Sequence, residues 1–330
     1  MTIKLNKSKD SLIGKKIASI DIGSYTTRML VAEFTGYPHL FRALARKRVY
    51  THLAEGFTGT GKGGLTDDAV ERTAKALKNF VVSAKKLGVD EFCAVATGAA
   101  RRASNKRFFL NSVNNKSGID VKIISGEREA LLTRRGVIYG SGNIEPDSHV
   151  IFDLGGATTE FIWGEEKDLQ INSLPIGALV LTQGYLNSDP PEDKMIRVLS
   201  TEIDSILARG LLKGKKRVNN IRLTGSGGTA TTLAAIINRF GVREIAPERI
   251  NGLIIERNQI EKFFNNIKSM PISKRQKIKG METGRAGVII AGTLAVSRIM
   301  QFFNAEELTV SYSDILEGVL ISYIMGEDNE

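Results

Sequence analysis

The chain has 330 residues, 42% of them hydrophobic and 25% charged, which is ordinary for a folded protein and excludes a disordered one. At this length we expect two domains. The single cysteine, Cys93, excludes an internal disulfide, and the three histidines lack the spacing of a zinc site. The net charge of +10 favours an anionic partner, for which nucleic acid, an acidic membrane and polyphosphate all qualify.

The sequence predicts a cytoplasmic protein without a membrane anchor. Its longest apolar run, 286–296, is too short to span a bilayer, and the N-terminal residues lack the apolar core of a secretory signal. Residues 1–14 carry several lysines and are expected to form a loose tail. A single cysteine also suits a reducing compartment.

Strands and helices are predicted in alternation, which indicates an α/β fold. The first half predicts strands over 17–22, 27–34, 41–50, 91–96 and 121–124, and helices over 66–88, 103–113 and 126–137. The second half predicts strands at 149–164, 221–223 and 308–310, and helices at 192–207, 229–237, 258–267, 283–303 and 314–324. Because each half begins with a hairpin, we expect mixed sheets of five strands flanked by helices.

Two stretches of the chain repeat one design, an apolar strand followed by a polar glycine turn and a second apolar strand. Residues 18–33 align without gaps on residues 150–165, and Asp21 falls on Asp153 while Gly23 falls on Gly155. Glycine exposes backbone N–H groups that can hold a phosphate, and a carboxylate beside the turn can hold a cation. The repeat predicts two similar half-molecules, each with one phosphate turn.

A third glycine turn, 224–229, follows a predicted strand and precedes a helix, which strengthens the case for phosphate or nucleotide binding. The stretch 56–62 has the spacing of a P-loop, but Gly63 stands where the magnesium-binding hydroxyl is required. We therefore exclude a P-loop. Cys93 lies in an apolar strand and is interpreted as a buried structural thiol.

Taken in order, these segments resemble the exopolyphosphatase and guanosine pentaphosphate phosphohydrolase family of the sugar kinase, Hsp70 and actin superfamily. The resemblance rests on Asp21-Ile-Gly-Ser-Tyr-Thr-Thr-Arg28, Ala96-Thr-Gly-Ala-Ala-Arg-Arg-Ala103, Ile124-Ser-Gly-Glu-Arg-Glu-Ala130, Asp153-Leu-Gly-Gly-Ala-Thr-Thr-Glu160, Leu174-Pro-Ile-Gly177 and Gly225-Ser-Gly-Gly-Thr229. It covers residues 16–322 and implies two actin-like domains, 1–127 and 128–313, with an active-site cleft between them. The last helix, 314–330, is expected to return to the first domain.

The resemblance also implies the roles of individual residues. Glu129 is expected to activate water and Arg101 to bind the substrate phosphate; Asp153, Glu160 and Asp21 are expected to hold Mg²⁺ or Mn²⁺. Phosphate binding is assigned to Gly23, Ser24, Tyr25, Thr26, Gly155, Gly156, Ala157, Thr158, Gly227 and Gly228. These residue types suit phosphoryl transfer, in which catalysis is mainly positioning and charge neutralisation.

Seven residues depart from the family pattern, and four of them are expected to change the site. Ala157 replaces a glycine, so its methyl group is expected to restrict φ and crowd the phosphate. Tyr25 replaces a smaller residue and is expected to narrow the entry. Arg128 and Gly287 replace acids and are expected to make the cleft more positive, which favours a polyanion.

The sequence leaves three functions open. The first is a Mg²⁺-dependent hydrolase that releases orthophosphate from polyphosphate or from guanosine pentaphosphate. The second is a sensor that binds such ligands without turnover, and the third is an ATPase or kinase of the same superfamily. The chain ends soon after its second domain, which favours shorter substrates, whereas its charge favours polyphosphate. We expect no specific nucleic-acid partner, and the family suggests a homodimer.

Overall fold

The structure, a computed structural model, describes residues 12–36, 39–56, 63–141, 149–164, 168–211 and 221–327. These residues divide between two compact units, Met1–Gly136 with Asp314–Glu330 and Val137–Ser313. The unit boundary follows residue 136, inside a helix, whereas the sequence analysis placed the domain boundary after residue 127.

The elements alternate between strands and helices, as the sequence predicts. The strands are β1 (Lys16–Ile22), β2 (Thr26–Phe34), β3 (Phe41–Tyr50), β4 (Glu91–Ala96), β5 (Val121–Ile123), β6 (His149–Leu154), β7 (Thr159–Trp163), β8 (Gln170–Leu174), β9 (Arg222–Ser226), β10 (Leu253–Glu256) and β11 (Glu307–Val310). The helices are α1 (Asp67–Lys85), α2 (Gly98–Arg102), α3 (Lys106–Ser117), α4 (Gly126–Ser141), α5 (Ala178–Tyr185), α6 (Asp193–Leu211), α7 (Gly228–Ile237), α8 (Pro247–Ile250), α9 (Arg257–Ile267), α10 (Ile272–Arg275), α11 (Ile289–Phe302) and α12 (Ile315–Met325).

The first unit contains a five-stranded sheet in the order β3-β2-β1-β4-β5. β1 pairs antiparallel with β2 and parallel with β4, so the carboxyl ends of β1 and β4 lie at one edge. β5 is also parallel to β4, which brings three carboxyl ends to that edge. Side chains of β1 and β2 are almost all buried, as their continuous apolar sequences predict.

The second unit contains a six-stranded sheet whose order, read as β8-β7-β6-β9-β11-β10, repeats the first. β6 pairs antiparallel with β7 and parallel with β9, just as β1 pairs with β2 and β4. The sequence predicts five strands here, and that number is wrong because β10 adds to the edge of β11. The predicted repeat therefore extends to five neighbouring strands of each sheet.

Local sequence signals predict the start of one helix correctly and the starts of two others wrongly. α1 begins where the Thr66 hydroxyl accepts a hydrogen bond from the N–H of Ala69, and two aspartates occupy its first turn. The predicted helix over 283–303 is wrong at its start, because Thr283–Arg285 forms a separate 3₁₀ turn before α11. The helix predicted from Ala103 begins instead at Lys106, after the short α2.

Candidate active site

The two predicted phosphate turns have the same backbone geometry. In the first loop, residues 23–26, the N–H of Gly23 donates to the carbonyl of Thr26 at 3.0 Å. In the second loop, residues 155–158, the N–H of Gly155 donates to the carbonyl of Thr158 at 2.9 Å. The repeat seen in the sequence is thus confirmed in the folded backbone.

The N-terminus of α5 orients the second loop. The N–H groups of Ala178 and Leu179 donate to the carbonyls of Gly155 and Gly156 at 3.0 and 2.9 Å. Because a trans peptide points its C=O and N–H in opposite directions, the N–H groups of Gly156 and Ala157 face away from α5. The second loop therefore presents two successive N–H groups on one side, which suits a phosphate oxygen.

The chain that follows β3 orients the first loop in the same way. The N–H of Ala54 donates to the carbonyl of Ser24 at 2.8 Å, and the N–H of His52 donates to the carbonyl of Tyr25 at 3.0 Å. The peptide bond between Ser24 and Tyr25 therefore turns the N–H of Tyr25 away from that segment. The hydroxyl of Ser24 accepts a hydrogen bond from the N–H of Ala99 at 3.0 Å, which connects the loop to α2.

The two predicted catalytic residues lie in contact. Nη1 of Arg101 donates to Oε2 of Glu129 at 2.6 Å and to the carbonyl of Ile124 at 3.2 Å. Arg101 belongs to α2, which follows β4, and Glu129 belongs to the first turns of α4, which follows β5. The carboxyl ends of neighbouring parallel strands thus carry the first loop, the guanidinium of Arg101 and the carboxylate of Glu129.

The predicted acids of the second unit face each other across a strand pair. Asp153 and Glu160 are directly opposite in the antiparallel register of β6 and β7, so their side chains share one face of the sheet. The Ser226 hydroxyl donates to Oδ1 of Asp153 at 2.9 Å, and the Ser173 hydroxyl donates to Oε1 of Glu160 at 2.8 Å. Two opposed carboxylates destabilise a sheet, so a cation bound between them would be stabilising.

Asp21, the third predicted metal ligand, is already engaged by an arginine. Both Nε and Nη2 of Arg28 donate to its Oδ2, at 3.1 and 2.7 Å, and Nη1 of Arg28 donates to Asp314. Burial raises the pKa of the Asp21 carboxyl, although the charge of Arg28 opposes the shift. A metal ion at Asp21 would have to share the carboxylate with this guanidinium.

The third glycine turn meets Arg285, which the sequence analysis did not include among the site residues. Gly227 has φ of +89°, and a Cβ atom there would lie 2.5 Å from the carbonyl oxygen of Leu154, so glycine is required. A Cβ atom at Gly228 would lie 1.6 Å from Nη2 of Arg285. The buried guanidinium of Arg285 therefore occupies the space that the missing side chain leaves at the start of α7.

The structure places three of the unusual residues in packed or paired positions. Ala157 does not have positive φ, and it is buried with its backbone packed against Gly177, where a Cβ atom would lie 2.4 Å from the Cα of Ala157. The ring of Tyr25 is also buried, edge-on to Tyr50 at 5.4 Å between centroids. Arg128 does not add free positive charge, because it donates to the Ser322 hydroxyl at 2.6 Å and pairs with Glu327 at 3.2 Å.

Two properties of the described residues bear on the expected metal site and on the absence of a membrane anchor. Within the described ranges, no three histidine, cysteine, aspartate or glutamate side chains form a group that could hold a metal ion. No helix in that part of the chain is both long enough and apolar enough to cross a membrane. The stretch excluded as a P-loop, 57–62, lies outside the described residues.

Two units whose sheets share the order of five strands, each with a glycine turn at the carboxyl ends of its strands, define an actin-like two-domain protein. The Ppx/GppA phosphatase family model matches residues 31–327, and the chain belongs to this family. Membership makes the chain a phosphohydrolase. The predicted site residues include residues of each unit.

The curated relatives share a little over a quarter of their residues with the chain. Exopolyphosphatase 2 of Mycobacterium tuberculosis is 28% identical over 331 residues, covering 93% of this chain and 98% of that protein. The bifunctional 3-dehydroquinate synthase/phosphatase of Fusobacterium nucleatum is 28% identical over 316 residues. That match covers 92% of this chain and 46% of the relative, so the chain spans about half of that longer protein.

Solved structures show the same architecture. The Ppx/GppA enzyme of Aquifex aeolicus is 31% identical, with a TM-score of 0.74, and the match covers 93% of this chain and 99% of that one. An exopolyphosphatase from Cytophaga hutchinsonii is 25% identical, with a TM-score of 0.84 and coverage of 96% and 99%. The predicted fold class is confirmed by these likenesses.

Proposed function

We propose that the chain is an exopolyphosphatase that releases the terminal orthophosphate of inorganic polyphosphate. The observation that carries this proposal is the contact between Arg101 and Glu129 at 2.6 Å, beside the first loop. One residue supplies a fixed positive charge for phosphate, and the other supplies a carboxylate that can accept a proton from water. The relatives named as exopolyphosphatases support polyphosphate as the substrate.

The residues divide into groups that bind and a group that activates water. In the second unit, the outward N–H groups of Gly156 and Ala157 can bind phosphate oxygens. In the first unit, the guanidinium of Arg101 can neutralise the charge of a phosphate. When the Arg101 guanidinium donates some of its hydrogen bonds to phosphate, the carboxylate of Glu129 lies beside the substrate. It can then accept a proton from the attacking water. General-base catalysis of this kind contributes about 10² to 10⁴ in rate.

Mg²⁺ fits the residues of the second unit. Asp153 and Glu160 supply carboxylate oxygens on one face of the sheet, and Mg²⁺ is commonly held by one or two carboxylates together with substrate phosphates. These two residues would hold the ion, and Ser226 and Ser173 orient them. When bound, Mg²⁺ neutralises charge that develops on the phosphoryl oxygens.

Guanosine pentaphosphate remains the second candidate substrate, because it also ends in a phosphoric anhydride. The sensor hypothesis is based on the unusual residues Tyr25, Ala157 and Arg128. Because these residues have structural roles within their own units, they give no reason to expect binding without turnover. A protein that turned over neither substrate would revive it. Phosphate release should therefore be measured with long polyphosphate, tripolyphosphate and guanosine pentaphosphate at equal protein concentration.

The role of Glu129 is tested by Glu129→Gln, which keeps the size of the side chain and removes its basicity. We expect phosphate release to fall by about 10² or more, with substrate binding retained. Glu127→Gln is the matched control, because Glu127 lies in the same first turn of α4 but is exposed. A Glu129→Gln enzyme as fast as the wild type would contradict the assigned mechanism.

The role of Mg²⁺ is tested by metal removal. We expect a chelator to stop phosphate release and added Mg²⁺ to restore it. In Asp153→Asn and Glu160→Gln variants, a higher Mg²⁺ concentration should be needed for half-maximal rate, because each loses one negative charge of the proposed site. Full activity after exhaustive chelation would refute the metal requirement.

A further inference from the structure

One segment of the first unit carries only positive charge. Between Phe92 and Ile119 the sequence contains five basic residues and no acidic one. This segment begins in β4, passes through α2 with Arg101, and ends in α3. The segment therefore runs from the candidate active site to the surface, and all its charged side chains are positive.

Lys106 and Arg107 are exposed at the start of α3, which contacts α2. Among the described residues, neither side chain has an ion pair or a hydrogen bond. Arg101 and Lys116 of the same segment differ in this respect, because Arg101 binds Glu129 and Lys116 binds Glu71. Lys106 and Arg107 thus remain available to a ligand.

Their position does not stabilise the helix. Both lie in the first turn of α3, where positive charge opposes the helix dipole, and that turn has no acidic residue. The side chain of Asn105, which precedes α3, binds the backbone of Leu65 at 2.9 Å instead of capping the helix. Residues that destabilise their own helix and make no compensating contact are typical of binding sites.

We propose that Lys106 and Arg107 bind inner phosphates of a long polyphosphate chain whose terminal phosphate is held at Arg101. This inference rests on the proposed function and adds to it a chain-length preference. A polyphosphate offers a negative charge at every unit along its length, so cations placed outward from the site gain contacts with each added unit. Guanosine pentaphosphate carries its phosphates in two short groups joined through a ribose, so it offers no continuous row of charges to cations placed outward from the site.

The test is a double variant, Lys106→Ala with Arg107→Ala, assayed with long polyphosphate and with tripolyphosphate. We expect KM for long polyphosphate to rise about fivefold or more, with kcat unchanged, because two charged contacts are lost away from the reacting phosphorus. For tripolyphosphate, kcat/KM should change by less than twofold, since the proposal places inner phosphates of long chains only at the two cations. KM for long polyphosphate should also depend less on salt concentration.

The matched control is Lys277→Ala with Lys279→Ala, which removes the same charge from an exposed segment of the second unit. An equal KM shift in the control would show a net-charge effect and overturn the inference. An unchanged KM in the Lys106 and Arg107 variant, with wild-type activity on polyphosphate, would overturn it while leaving the proposed function intact. If the wild type releases no phosphate from polyphosphate, the proposed function fails. The inference is then judged by calorimetric titration of long polyphosphate into both proteins, where equal affinities would refute it.

Discussion

Gly228 offers a sharp test of how Arg285 is held at the third glycine turn. A Cβ atom at residue 228 would lie 1.6 Å from Nη2 and 2.0 Å from Cζ of Arg285. Gly228 does not have positive φ, so alanine can adopt its backbone conformation without strain. In a Gly228→Ala variant the guanidinium must therefore move by at least about 2 Å, since apolar contacts begin near 4 Å.

The energetic effect depends on whether Arg285 is present. Overpacking a buried site costs about 1–3 kcal/mol, and we expect Gly228→Ala to lower the free energy of unfolding by that amount. In an Arg285→Ala protein the space is empty, and the same change should be neutral or stabilising by up to about 1 kcal/mol, because alanine favours a helix more than glycine does. The two substitutions should thus couple by about 1–3 kcal/mol.

The assay is urea denaturation of the wild type, both single variants and the double variant, together with phosphate release. If Arg285 contributes to the site, Gly228→Ala should reduce activity about as much as Arg285→Ala, and the double variant should lose little more. Equal destabilisation by Gly228→Ala in both backgrounds would refute the close packing of Arg285 on Gly228.

Three further outcomes are expected. Gly177→Ala should destabilise the protein and impair phosphate release, because its Cβ atom would lie 2.3 Å from the rigid backbone of Ala157; Gly184→Ala in the same helix meets nothing within 4 Å and should be mild. Ala157→Gly should lower the free energy of unfolding by about 0.5–1 kcal/mol without raising activity, and a faster enzyme would show that the methyl crowds the phosphate. Cys93, predicted to be buried, is only partly buried, but this burial raises the pKa of its thiol to about 12. Iodoacetamide at pH 8 should therefore label the folded protein far more slowly than the urea-unfolded one, and equal rates would contradict the raised pKa.

The sequence predicts most of the fold because its signals are local and occur twice. Each hairpin joins two apolar strands by a glycine turn, and the pairings of β1 with β2 and β6 with β7 follow from that pattern. The elements that the sequence does not predict lack such a signal. β8 is a largely polar edge strand, and α5 is a short, nearly continuous apolar run without helical periodicity.

Some features of the candidate site cannot be predicted from the sequence because they depend on contacts between residues that are distant along the chain. Arg285 lies 57 residues after Gly228, and only the folded chain shows that its guanidinium fills the space beside that glycine. In the sequence, Arg128 stands where the family has an acidic residue. In the structure it binds Ser322, which lies 194 residues away. The sequence likewise indicates roles for Arg101 and Glu129 without indicating that the two side chains touch, because their contact depends on the order of β4 and β5.

The two hairpins differ in the residue that lies opposite the repeated aspartate, and this difference gives the two positions different charges. Residue 28 in the first hairpin and residue 160 in the second lie opposite the repeated aspartates, Asp21 and Asp153. In the first hairpin the opposite residue is an arginine that binds the aspartate, so the pair carries no net charge. In the second it is a glutamate, so two carboxylates share a face and a divalent cation would neutralise both. If a metal ion supports the proposed reaction, the second hairpin is therefore its expected binding site, and Asp21 is expected to hold Arg28 instead.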